Sequence, residues 1–147
     1  VLMQVTAFTL AHSVTLGLTM YGLIALSPGI VEPLIALSIA YVAIENILVG
    51  RVMVWRPAAV FGFGLLHGMG FAGALRELRL SKAEVLPALA GFNIGIELAQ
   101  LAIIATVVLT IAMWHREKPW YRPRLVLPAS SAIAATALFW TVQRIMR

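Results

Sequence analysis

Apolar residues run in long blocks along this chain, and the polar positions between them are few and clustered. Crossing a hydrocarbon layer takes about 20 residues at a rise of 1.5 Å each. Five stretches reach that length with few charges: about 5–26, 31–50, 58–76, 85–114 and 125–143. The breaks carry turn and interface chemistry. Pro28 and Gly29 make a tight turn after the first stretch, and Pro33 sits where the first turn of a helix tolerates proline. Residues 51–57 (RVMVWRP) read as a short basic loop, and residues 76–84 (RELRLSKAE) as a mixed-charge one. Residues 115–124 (HREKPWYRPR) join cations to Trp120 and Tyr121, the composition of an interfacial anchor, and Trp140 is a further belt residue. The pattern predicts an all-α, polytopic membrane bundle of about five transmembrane helices, with residues 1–147 as one domain.

Composition sharpens this. The 147 residues are 61% hydrophobic and only 12% charged, against about 25% charged in a soluble domain, and mean hydropathy is +0.94. No cysteine is present, which excludes disulfides, thiolate metal sites and cysteine nucleophiles. The net charge of +5 could point to nucleic acid. The cations, however, fall between apolar runs or at the C-terminus, where a polytopic protein keeps them, and no basic face remains for a phosphate backbone. Arg51, Arg56, Arg116, Lys118, Arg122 and Arg124 lie on one side; Arg76, Arg79, Lys82, Arg144 and Arg147 lie on the other. The slight excess puts the first group in the cytoplasm of a multi-pass membrane protein. The chain opens at Val1 with no methionine or signal peptide, so an N-terminal part is expected upstream.

Glycines and ionisable residues interrupt the apolar blocks. Lipid supplies no hydrophobic force between helices, so close backbone packing and interhelical hydrogen bonds hold a bundle together. Gly64 and Gly68, and again Gly91 and Gly95, have the GxxxG spacing, and are expected at helix–helix contacts. Such faces would grip neighbouring helices, other membrane subunits or a second copy. Ionisable residues at membrane depth are expensive and face the protein interior. His12, Glu45, His67 and Glu97 each lie within an apolar stretch. From the expected helix ends, His12 and Glu45 lie roughly 8–11 Å below the cytoplasmic surface, and His67 and Glu97 roughly 14–18 Å. The four are expected to form one inward-facing constellation. Asn46 adjoins Glu45, and Asn93 and Gln100 share the Glu97 face. Ser38, Tyr41 and Glu45 make one polar stripe, and Thr6, Thr9 and Ser13 another beside His12. Imidazole and carboxylate suit Ni²⁺, Co²⁺, Zn²⁺ or Fe²⁺. The same residues would also serve as interhelical glue.

Four segments, FTLAHSVTL, EPLIALSIAYVAIEN, FGLLHGMGFAGAL and GFNIGIELAQL, occur in this order along the chain. In them the chain resembles the HupE/UreJ family of bacterial membrane proteins, described as nickel or cobalt permeases. The resemblance implies a transient Ni²⁺ or Co²⁺ as substrate, no tightly bound cofactor, and His12, Glu45, His67 and Glu97 in the polar core. Asn46, Asn93 and Gln100 would be its neutral members. The family's earlier helix, with a His/Asp-rich motif, is missing here; entering from outside, it would put Val1 in the cytoplasm and supply further ligands.

Three functions follow as expectations: a transition-metal permease; an intramembrane metal-dependent hydrolase aided by Ser13 or Ser38; and a non-catalytic subunit of a larger membrane complex. Two histidines are few for a catalytic zinc, which leaves transport ahead and assigns no catalytic residue.

Overall fold

The computed structural model describes residues 2–50 and 53–146. Val1, Arg51 and Arg147, used above for orientation, lie outside them. Of the described residues, 85% are helical and none lies in a strand. Five helices make the bundle: α1 (Leu2–Met20), α2 (Pro28–Leu48), α3 (Arg56–Glu77), α4 (Lys82–Val107) and α5 (Leu127–Ile145). A π-wound turn, Val108–Ala112, carries α4 on to His115, and another, Arg122–Val126, leads into α5.

Local chemistry sets these ends. Gly22 takes a φ of 75°, which only glycine adopts freely. Its N–H donates to Thr19 O (3.1 Å) and the Leu23 N–H to Leu18 O (2.9 Å). This is a Schellman stop, and it ends α1 at Met20 rather than near residue 26. Prolines at the first turns open α2, α3 and α5, where the missing N–H costs nothing. Four residues separate α3 from α4: Arg79 turns the chain with a φ of 50°, and the Ser81 N–H donates to Glu84 Oε2 at 2.9 Å.

Four segments are long and apolar enough to cross a membrane: Pro28–Leu48, Arg56–Glu77, Ala83–His115 and Arg122–Ile145. The fifth helix of the bundle, α1, is 19 residues long and less apolar, carrying Thr, Ser, Gln and His along its length. Protein covers much of α1, since it lies between α3 and α4 and buries Thr9, Ala11, His12, Thr15, Leu16 and Thr19. Its hydroxyls turn back on their own helix. Ser13 Oγ donates to Thr9 O (2.6 Å) and Thr15 Oγ1 to Ala11 O (3.1 Å), so neither requires water.

Neighbours run in the order α4, α1, α3, α2, α5. The closest approach is between α1 and α3. A Cβ built on Gly64 would stand 2.6 Å from Phe8 O and 2.9 Å from Ala11 Cβ, and one on Gly68 would collide with Thr15 Oγ1 and His12 O. Both glycines are therefore contact residues, as expected. Gly91 and Gly95 are not: a Cβ on either would meet nothing within 4 Å. They line an open groove with Leu75, Phe92 and Ala99 instead, because α4 turns Val85 and Leu89 toward Leu16, Ala72 and Leu75. The most apolar stretch of α4 has no buried residue.

Arg122 donates to Ile47 O at 3.0 Å, which puts the α2–α3 loop and the 115–124 segment at one end of the bundle. Arg144 pairs with Glu32 at 3.4 Å and joins the C-terminal end of α5 to the other.

Candidate functional site

The parallel packing of α1 on α3, with Gly64 against Phe8 and Ala11 and Gly68 against His12 and Thr15, places His12 and His67 at one level. His67 lies about 16 Å in from the start of α3, and His12 meets Phe71, one turn further along α3. The His12 ring is fully buried. Around it stand Phe8, stacked at 6.0 Å, Phe71 at 5.4 Å and Phe92 at 6.0 Å. Neither His12 nitrogen has a hydrogen-bond partner among the described residues. His67 meets Phe8 edge-on at 5.1 Å, so one phenyl ring touches both imidazoles. A carbonyl can only accept, so the 2.7 Å contact between His67 Nδ1 and Phe63 O puts the proton on Nδ1. Nε2 is then the atom with a free lone pair, the arrangement of a metal-ligating histidine.

Helix α4 adds amides to this level. Asn93 stands beside His12 without closing a hydrogen bond to it, and its buried Oδ1 has no partner among the described residues. Gln100 approaches Thr9 Oγ1 at 3.4 Å. Glu97 lies between them, one turn from each, half-buried and in no ion pair among the described residues. On α2, Ser38 faces the same level and lines a cavity of about 290 Å³ with Phe8, His67, Asn46 and Ser130.

Glu45 is elsewhere. It lies within one turn of the end of α2, two turns beyond Ser38, or about 10 Å along the axis. Its carboxylate is 7% exposed and sits 3.5 Å from Arg56 Nε, while Arg56 also donates to Asn46 Oδ1 at 2.8 Å. Among the described residues, no three His, Asp or Glu side chains converge closely enough to hold a metal ion. The single four-residue constellation expected from depth is thus divided. His12 and His67 share a level with Asn93, Gln100 lies two turns along α4 beside Thr9, and Glu45 and Asn46 face an arginine. The cause is the register of α1 on α3, which sets Phe8 against His67 and His12 against Phe71, away from Glu45.

Two participants escaped the sequence reading. Arg56 passed for a loop cation, although its place in the first turn of α3, within reach of the last turn of α2, is the signal that pairs it with Glu45. Phe8 has no role in the sequence reading; its i, i+4 relation to His12 is what stacks the two rings.

Buried polar atoms without partners cost free energy, and about nine in ten find one. A neutral imidazole carries one N–H and one lone pair, so His12 keeps a donor and an acceptor, and Asn93 Oδ1 an acceptor, without partners among the described residues. Both serine hydroxyls turn back on their own helices: Ser13 Oγ donates to Thr9 O, and Ser38 Oγ to Ile35 O at 2.7 Å.

A family profile described as "HupE / UreJ protein" matches residues 1–144. No curated protein and no solved structure matches the chain.

Proposed function

Because the chain belongs to the HupE/UreJ family, whose members are generally related to nickel and cobalt transport rather than to catalysis, we propose that it passes a divalent transition-metal cation, Ni²⁺ or Co²⁺, across the bacterial inner membrane. His12 and His67 are its imidazole ligands on the way. Asn93 and Gln100 offer amide oxygens, and Glu97, half-buried on the same face of α4, supplies negative charge. The cation is cargo, held by weak and incomplete coordination so that it can leave. One observation carries the reading: His12 is fully buried with both nitrogens unpartnered, next to an equally unpartnered Asn93 oxygen. A purely structural histidine in a dry bundle would be expected to satisfy at least one nitrogen.

The test is ⁶³Ni²⁺ or ⁵⁷Co²⁺ uptake into proteoliposomes containing the full chain. Uptake above empty vesicles, abolished by His67→Ala and sharply reduced by Glu97→Gln, is expected. Wild-type uptake by Glu97→Gln would remove the charge role of α4.

A second reading, an accessory subunit of a larger membrane complex, draws on the open groove beside Gly91 and Gly95. Loss of uptake with co-purification of a stoichiometric membrane partner would favour it.

A further inference from the structure

At the α2–α3 loop end the cavity reaches Asn46, whose amide oxygen accepts from Arg56. The neighbouring Glu45 is 8% exposed. It faces Arg56 Nε at 3.5 Å, yet neither carboxylate oxygen nor Nε completes a hydrogen bond among the described residues. That is an unusual way to seat these groups. A guanidinium offers five donors in a planar fork that matches a carboxylate bidentately. Here it spends one donor on an amide and leaves the buried carboxylate balanced in charge but open in coordination. Glu45 and Asn46 thus present a carboxylate and an amide oxygen, both turned toward a positive charge that is tethered rather than well bonded. His67 lines the same cavity as Asn46, so a cation at either place is within one continuous space of the other.

We propose that Glu45 and Asn46 form a second cation station, separate from the histidines, and that the Arg56 side chain occupies it as a built-in competitor. The proposal rests on the reading of the cargo as a divalent transition-metal cation. A cation reaching Asn46 through the cavity displaces the guanidinium toward the loop, where Arg56 already begins its helix, and takes the carboxylate oxygens that Arg56 leaves open. When the cation departs, Arg56 returns, so Glu45 is never left as an uncompensated buried charge. Hard oxygen ligands and a competing cation make this the weaker station, suited to release.

Co²⁺ titration calorimetry of the purified full chain in nanodiscs tests this. Arg56→Gln is expected to bind one more Co²⁺ per chain than the wild type, and the added equivalent should vanish in Arg56→Gln combined with Glu45→Gln. His67→Ala separates the two ideas: it should remove the wild-type equivalent and leave the one gained through Arg56→Gln. If the histidine reading fails, the wild type binds none and Arg56→Gln still binds one. Should Arg56→Gln not fold, Asn46→Asp serves, because a second carboxylate against one arginine should likewise gain a Glu45-dependent Co²⁺. No gain in the variant that folds, or a gain that survives Glu45→Gln, overturns the proposal.

Discussion

Replacing Gly68 with alanine adds one methyl group where α1 and α3 touch. The built Cβ meets Thr15 Oγ1, His12 O and Leu16 N, and two of these three are backbone atoms that no rotamer change can move. At Gly64 the nearest obstacle, Phe8 O, lies at 2.6 Å against the 3.4 Å where ordinary contact begins. The helices would have to part by on the order of 0.8 Å along that line, undoing the close packing that stands in for hydrophobic force in lipid. Overpacking of this kind costs about 1–3 kcal/mol. An exposed helical glycine should instead gain about 0.5–1 kcal/mol on becoming alanine, and Gly95, with open space about it, supplies that control. The sign therefore separates the two sites: Gly68→Ala should lower the midpoint of thermal unfolding in detergent, and Gly95→Ala should hold or raise it. Because His12 O is among the displaced atoms, Gly68→Ala should also impair cation uptake. If Gly68→Ala proves as stable as the wild type, the α1–α3 contact is not as close as described and the shared level of the two histidines loses its support.

Further outcomes follow from single contacts. Arg56→Ala should destabilise the bundle by about 3–5 kcal/mol by stranding the buried Glu45 carboxylate, and adding Glu45→Gln should recover much of that in a denaturation double-mutant cycle. Gly22→Ala should cost about 1–2 kcal/mol in the same assay, since alanine pays for the left-handed conformation of the α1 stop. Nitrogen-15 NMR of His67 should find the proton on Nδ1; a dominant Nε2–H form would contradict the Phe63 hydrogen bond. Ser38→Ala should keep cation uptake, because the hydroxyl is bonded within α2, whereas loss of uptake would revive a chemical role for that serine.

Long apolar blocks made the helical bundle legible from the sequence, because lipid leaves the backbone few alternatives to the helix. Loops read well where proline opened a helix. The misjudged boundary was at Gly22, where a lone glycine after Tyr21 outweighed the apolar Leu23–Leu26 that follow; its left-handed turn is a backbone property that hydropathy does not record. Depth arithmetic went astray separately: it counted His12 from an expected helix start near residue 5, grouping it with Glu45 rather than with His67. The glycine pairs show a second limit. Gly64–Gly68 and Gly91–Gly95 have identical spacing, and only the first meets a neighbour, because spacing defines a smooth face but not what lies opposite. The polar residues were identifiable by type and rarity; which of them share a level depended on the α1–α3 register, and that is set by the two contact glycines.

X-ray absorption at the cobalt edge of the Co²⁺-loaded chain most directly tests whether the buried histidines handle the cation. Imidazole nitrogen scattering should appear for the wild type, fall in His12→Ala, and be lost in His67→Ala. A cobalt shell made only of oxygen in the wild type, or an imidazole signal unchanged in both single variants, would contradict the account.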